Sequence, residues 1–128
     1  MKIIGIDPGA QGALVLYDTD TSRVSDWADM PTHEVVIDRR KRQTVDPHGL
    51  ASILRRWKPH VHFAVLEEVS SMPKQGVAST FSFGRASMAA EMGLAALGIP
   101  YNLVRPHVWK KVMQVPGDKD AARRRASQ

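Results

Sequence analysis

Short apolar runs separated by turn residues open the chain. Residues 2–6 (KIIGI) and 13–17 (ALVLY) flank the turn sequence DPGAQG at residues 7–12. This order predicts a strand, a tight turn and a second, antiparallel strand. Residues 23–30 (RVSDWADM) predict a third strand that completes a meander.

Helical and strand patterns alternate in the middle of the chain. Residues 31–45 are expected to form a solvated loop, although the basic run within it could also contact phosphate. Asp46 and Pro47 are typical of an N-cap and a first helical residue, and a helical apolar pattern follows them until Pro59. Residues 62–66 (HFAVL) form a continuous apolar run, typical of a parallel strand that is buried on both faces.

The second half begins with a predicted loop at residues 70–79, which are rich in Pro, Gly and Ser. A long helix is expected over residues 80–97, with Gly98 as its C-cap. The residues expected on the inner side of this helix are Phe81, Met88, Met92 and Ala95 or Ala96.

A short strand is expected at residues 101–104, before a helix that Pro106 opens. A last helical stretch is expected after a cap at Asp118 or Asp120. In the Pro106 helix we expect Val108, Trp109, Val112 and Met113 to pack inward, and Lys110 and Lys111 to face solvent.

Composition narrows the class of protein. A chain of 128 residues with 43% hydrophobic side chains is expected to bury one core and to form one domain. Cysteine is absent, which excludes disulfide and thiolate chemistry and, without a signal-like segment, favours a cytosolic protein with no membrane partner. The net charge of +5 predicts an anionic partner.

Carboxylates are the candidate catalytic groups. Asp7 follows the first predicted strand, and Glu67 and Glu68 follow the strand at residues 62–66. A right-handed crossover would place these strands side by side and parallel, so that both end at the sheet edge where ligands bind. Carboxylates there would suit a divalent metal. Two simpler interpretations stay open: Asp7 forms only an Asx-turn, and the two glutamates are only solvated.

Other catalytic motifs are missing from the sequence. The histidines have no ligand spacing, and the chain contains neither a P-loop nor a Gly-x-Ser-x-Gly elbow. Carboxylate chemistry is therefore the plausible catalytic chemistry.

Four motifs carry a family resemblance. The segments IGIDPGAQGAL (residues 4–14), FAVLEEV (63–69), MPKQGVASTFSFGRA (72–86) and RPHVWKKVM (105–113) resemble the RuvC-like Holliday junction resolvases, most closely the phage-type members, within the RNase H-like nucleases. The resemblance implies an α/β fold whose five-stranded mixed sheet has an antiparallel meander followed by two parallel strands, flanked by helices. It also implies a homodimer that uses Mg²⁺ or Mn²⁺ in a two-metal site to cleave Holliday junctions or other branched DNA in the cytoplasm of a bacterium or a phage-infected host.

The resemblance also suggests the role of individual residues. Asp7 matches the first metal-ligating aspartate of the family, and Glu67 matches the glutamate that ends its fourth strand. Glu68 fits less well, because the family pattern is Glu-x-Val and Val69 follows Glu67 at that spacing. We expect residues 1–128 to lack the acidic C-terminal helix of the family. The remaining candidates for a third ligand are Asp118, Asp120 and Glu91, none of which matches the family motif.

DNA contacts are expected from basic runs and from the loop that leaves the sheet after Glu67. Lys119 resembles a basic residue that precedes the last helix of the family. The predicted DNA-binding residues are Arg39, Arg40, Lys41, Arg42, Lys74, Gln75, Gly76, Ser79, Thr80, Lys110, Lys119 and Arg123.

Two alternative functions are also compatible with the sequence. The first is a non-catalytic module that binds branched DNA with a resolvase fold. The second is a fragment of an actin-like ATPase or sugar kinase, because those proteins also begin with a Gly-Ile-Asp-x-Gly hairpin, although their two lobes need more than twice this length.

Overall fold

The computed structural model describes residues 1–115 and 120–126, with only the backbone described at residues 122, 123 and 126. Lys58–His60 forms a 3₁₀ turn. The strands are β1 (Lys2–Ile6), β2 (Ala13–Asp18), β3 (Arg23–Asp29), β4 (Thr32–Ile37), β5 (Arg40–Val45), β6 (Phe63–Glu67) and β7 (Tyr101–Val104), and the helices are α1 (Pro47–Trp57), α2 (Val77–Ala96), α3 (Pro106–Val112) and α4 (Ala121–Ala126).

The central sheet has five strands in the order β3-β2-β1-β6-β7. The first three strands pair antiparallel, whereas β6 pairs parallel with both β1 and β7. The prediction of a five-stranded mixed sheet is confirmed. The order of strands along the chain differs from the prediction, because two further strands precede β6 and make Glu67 the end of the sixth strand.

The two further strands correct the prediction of a loop over residues 31–45. β4 and β5 form a separate antiparallel hairpin. Its turn consists of Asp38 and Arg39, with φ angles of 50° and 61°, as a type I′ turn requires. The sequence hides this turn because neither position is glycine, and the basic residues of the predicted loop lie instead in a regular hairpin.

Alternating apolar residues place the core on the inner face of the sheet. Leu14 and Leu16 of β2 are buried, as are Ala64 and Leu66 of β6. Helix α1 packs against this inner face. It begins as predicted, since the carboxylate of Asp46 accepts the N–H of His48 at 3.0 Å. The buried residues of α1 are Leu50, Leu54 and Trp57.

Small residues make the inner face of α2. Ala86, Ala90 and Leu94 are buried at i, i+4 spacing. A Cβ added at Gly93 would lie 2.9 Å from Cδ1 of Leu54, so α1 and α2 approach closely at this point. Close approach of two helices leaves no room for long side chains there.

The predicted inner face of α2 is therefore wrong. Phe81, Met88 and Met92 are 69%, 58% and 63% exposed, and Ala95 and Ala96 are exposed as well. The helix carries apolar residues around its whole circumference, so hydrophobic periodicity gives it no direction.

The predicted inner face of α3 is wrong at three of its four residues. Val108, Val112 and Met113 are 44%, 75% and 49% exposed. Trp109 is half-buried, and so is Lys110, which was expected to face solvent. Among residues 1–115 and 120–126, no helix is both long and apolar enough to cross a bilayer.

Candidate active site

Asp7 lies exposed at the carboxyl end of β1. Its backbone N–H donates to the carbonyl oxygen of Ala13 at 3.0 Å, and its Oδ1 accepts the N–H of Gly9 at 3.2 Å. The Asx-turn interpretation is thus correct as local structure. Oδ2 accepts no hydrogen bond from the described residues. The turn therefore orients the carboxylate and leaves one oxygen available to a ligand.

Gly12 closes the turn around Asp7. Its N–H donates to the carbonyl oxygen of Gly9 at 2.8 Å. A Cβ at this position would overlap the carbonyl oxygen of Asp7. The close approach of two backbone segments therefore requires glycine here.

Glu67 lies at the end of β6, beside Asp7. Ile6 of β1 pairs with Leu66 of β6 in parallel register, and each carboxylate follows one of these paired residues. Adjacent strands lie about 4.8 Å apart, so the two residues leave the sheet as neighbours at one edge. Glu67 is half-buried, which argues against its being only a solvated strand end.

Trp109 holds the Glu67 carboxylate. Its indole N–H donates to Oε2 of Glu67 at 2.7 Å. Trp109 was expected only to pack inward, and no sequence pattern signals this hydrogen bond. The ammonium group of Lys110 lies 5.6 Å from the centroid of the Trp109 ring, at a distance typical of a cation–π interaction.

Glu68 has a different partner. Its Oε2 accepts Nε of Arg105 at 3.1 Å, and its backbone N–H donates to the carbonyl oxygen of Val104. The ion pair neutralises this carboxylate. The geometry therefore favours Glu67 over Glu68 as a ligand, as the Glu-x-Val spacing does.

Asp7 and Asp120 both line a cavity of ≈ 730 Å³. Asp120 lies just before the first residue of α4. Of the other candidates for a third ligand, Glu91 accepts the hydroxyl of Tyr101 at 3.4 Å. Tyr101 begins β7, whereas Glu67 pairs with Val104 at the other end of that strand, so Glu91 is turned away from the site edge. Asp118 lies outside the described residues.

The oxygen donors of the cavity suit a hard divalent cation in chemical type. Their number is smaller than such an ion requires. Among residues 1–115 and 120–126, no group of three or more His, Cys, Asp or Glu side chains could hold a metal. The site thus fits Mg²⁺ or Mn²⁺ in part.

A second cleft, of ≈ 870 Å³, lies between the β4–β5 hairpin and the beginning of α2. It shares Ala10, Gln11 and Phe83 with the Asp7 cavity. Of the predicted DNA-binding residues, Arg42 and Ser79 line this cleft. Phe81, Phe83 and Arg85 line the cleft as well, although the sequence did not indicate them as DNA-binding residues.

Other predicted DNA-binding residues have partners within the chain. Lys41 lies 3.7 Å from the carboxylate of Glu34. Gln75 accepts the N–H of Met72 at 3.2 Å and so stabilises its own loop. Thr80 donates its hydroxyl to the carbonyl oxygen of Gly76. Arg39, Arg40 and Lys74 are exposed, and Lys119 and the side chain of Arg123 lie outside the described residues.

Solved structures of RuvC share this architecture. Thermus thermophilus RuvC in complex with a Holliday junction substrate has a TM-score of 0.63 and 16% identity, over 88% of this chain and 69% of that chain. The chain has the RuvC fold. Another structure of Thermus thermophilus RuvC gives a TM-score of 0.61 and 16% identity, over 89% and 69% of the two chains.

The RuvC comparison confirms that the chain has the fold of the proteins that the motifs resemble. No protein-family model and no curated protein sequence matches the chain. At 16% identity to RuvC, the similarity establishes the fold and not the activity.

Proposed function

We propose that this chain is a metal-dependent, structure-selective endodeoxyribonuclease that hydrolyses phosphodiester bonds in Holliday junctions or other branched DNA. The observation that carries the proposal is the parallel register of β1 and β6, which brings Asp7 and Glu67 to one edge of a RuvC-like sheet. One of the similar RuvC structures is a complex with a Holliday junction substrate, which supports this substrate class.

Charge distribution supports a nucleic-acid substrate. The chain has a net charge of +5, yet the described lining of the smaller cavity contains Asp7 and Asp120 and no cationic residue. The neighbouring cleft contains Arg42 and Arg85. Two arginines beside an acidic cavity can bind the DNA phosphates while the carboxylates hold a metal.

Asp7 and Glu67 would hold Mg²⁺ or Mn²⁺. A bound divalent ion would supply a water made nucleophilic at neutral pH and would stabilise the departing 3′ oxygen. The chain itself orients the ligands, because Gly9 fixes the Asp7 carboxylate and Trp109 fixes that of Glu67. As part of the proposal, a homodimer would present two such sites to one junction.

One observation favours a second function, that of a module that binds branched DNA without cutting it. No three-ligand group is present in the described part of the chain, and two carboxylates hold a pair of metal ions poorly. Binding and cleavage must therefore be measured separately.

Four-way junctions and linear duplexes of the same sequence, incubated with Mn²⁺, test the proposal. We expect the wild type to bind and cut junctions in preference to duplexes. Asp7→Asn should bind without cutting, and Glu68→Gln should still cut, because Glu68 pairs with Arg105. Junction binding without any cutting would establish the non-catalytic module, and no preference for junctions would contradict both functions.

A further inference from the structure

The cleft between the β4–β5 hairpin and α2 has an exposed apolar lining. Val35 and Ile37 contribute from the hairpin, and Phe81 and Phe83 contribute from the second turn of α2. Phe81 is 69% exposed and Phe83 is 38% exposed. An aromatic ring that is largely exposed and faces a cleft offers a flat surface to a planar ligand.

Strand pairing adds a positive charge to the same face. Val35 pairs directly with Arg42 across the hairpin, and directly opposed residues share one face of a sheet. Arg42 is half-buried and Arg85 is exposed, and both line the cleft. Neither guanidinium forms an ion pair within the described residues. A half-buried cation without a carboxylate partner favours an anionic ligand.

The cleft continues into the Asp7 cavity. Ala10, Gln11 and Phe83 line both spaces. One ligand can therefore extend from the cleft to Asp7. The cleft volume of ≈ 870 Å³ lies within the range of pockets that enclose small organic ligands.

We propose that this cleft binds an unstacked nucleobase of the same DNA strand whose backbone passes Asp7. The base lies against Phe81, and the adjoining phosphates lie at Arg42 and Arg85. The inference rests on the proposed function, since it requires DNA as the substrate. Aromatic rings beside unpaired arginines are typical of surfaces that bind single strands without reading their sequence. A branch point supplies nucleotides that are easily unstacked, which makes branched DNA a suitable source of such a base.

A double-mutant cycle between protein and DNA tests the contact. Four-way junctions carry a single abasic residue at successive positions on either side of the crossover, and their affinities are measured without divalent metal. At one position we expect the abasic residue to weaken wild-type binding about 5- to 150-fold, the loss expected for one base–aromatic stack. Phe81→Ala should weaken binding of the intact junction by the same factor. It should bind the abasic junction as tightly as the wild type binds that junction.

Met92→Ala is the matched control, because Met92 is exposed on the same helix and does not line the cleft. It should leave both affinities unchanged. If the wild type binds junctions but no abasic position is coupled to Phe81, the inference that the cleft binds a base is wrong, while the proposed function stands. If the wild type does not bind junctions, the proposed function itself fails. If light scattering shows that Phe81→Ala dissociates a dimer, the cleft is an interface between two copies and the inference is overturned.

Discussion

Trp109 of α3 donates its indole N–H to Oε2 of Glu67 at the end of β6, over 2.7 Å. This bond joins a helix with a largely exposed apolar face to the edge of the sheet. It also fixes the direction of one carboxylate oxygen, while Oε1 accepts no hydrogen bond from the described residues. Partners of this kind orient metal ligands in many proteins.

Replacing Trp109 should therefore affect metal binding more than folding. We expect Trp109→Phe to lower the affinity for Mn²⁺ about 10- to 100-fold, as measured by the Mn²⁺-dependent rise in melting temperature. Trp57→Phe is the matched control, because Trp57 donates its N–H to Asp26 at 2.8 Å, away from the site. The control should lower stability without changing the response to Mn²⁺. Equal responses in both variants would contradict an orienting role for Trp109.

Asp7→Asn should separate metal binding from local structure. Asparagine keeps an oxygen that can accept the N–H of Gly9, so the melting temperature without metal should stay unchanged. The wild type should gain about 2.7 kcal/mol at a Mn²⁺ concentration 100-fold above its Kd, and the variant should gain none. Cleavage should fall at least ~100-fold. A variant that Mn²⁺ stabilises as strongly as the wild type would place the metal elsewhere.

Local signals made much of this fold predictable. Asp46 and Pro47 start α1 as expected, and Gly98 follows α2 with a φ of 67°. The turn residues between β1 and β2 and the continuous apolar run of β6 were equally clear. These features depend on a few neighbouring residues, which the sequence displays directly.

Features that depend on distant residues were not predictable. The turn at Asp38 and Arg39 lacks the glycine that would signal a hairpin, and α2 is apolar on every side. Asp120 was one of three open candidates until the fold placed it in the same cavity as Asp7. The Trp109 hydrogen bond likewise requires that α3 lie beside β6, a relationship set by tertiary packing.

Gly12 should tolerate no side chain. A Cβ there would overlap the carbonyl oxygen of Asp7, which belongs to the backbone and cannot rotate away. We expect Gly12→Ala to lower the free energy of unfolding by about 3 kcal/mol, the upper range for overpacking. Gly84→Ala on α2 is the control, since a Cβ there meets nothing within 4 Å, and it should stabilise the protein by about 0.5–1 kcal/mol. Urea unfolding measures both, and equal values would contradict the described turn.

Asp26 should make stability depend on pH in the acid range. The hydrogen bond from the Trp57 indole, followed by that from the Trp27 backbone and the charge of Arg56, lowers the pKa of Asp26 below its usual 3.8. A lowered pKa in the folded state contributes stability above the unfolded pKa, and this contribution is lost as the pH falls through the folded pKa. Asp26→Asn should therefore lose less stability than the wild type below about pH 4. Trp57→Phe should flatten the same curve in part, since the Trp27 backbone and Arg56 still lower the pKa of Asp26, and the double variant should flatten it no further than Asp26→Asn does.

The two faces of the β4–β5 hairpin should differ in their contribution to DNA binding. Arg42 lines the cleft beside the Asp7 cavity, whereas Lys41 pairs with Glu34 and lies on the opposite face, because successive strand residues alternate. If about six phosphates are contacted, the logarithm of affinity should fall with the logarithm of salt concentration with a slope near −5. Arg42→Gln should reduce the magnitude of that slope by about 1, and Lys41→Gln should leave it unchanged. Equal changes of slope in the two variants would show that the DNA does not follow the cleft face of the hairpin, and that the bound DNA strand passes away from Arg42.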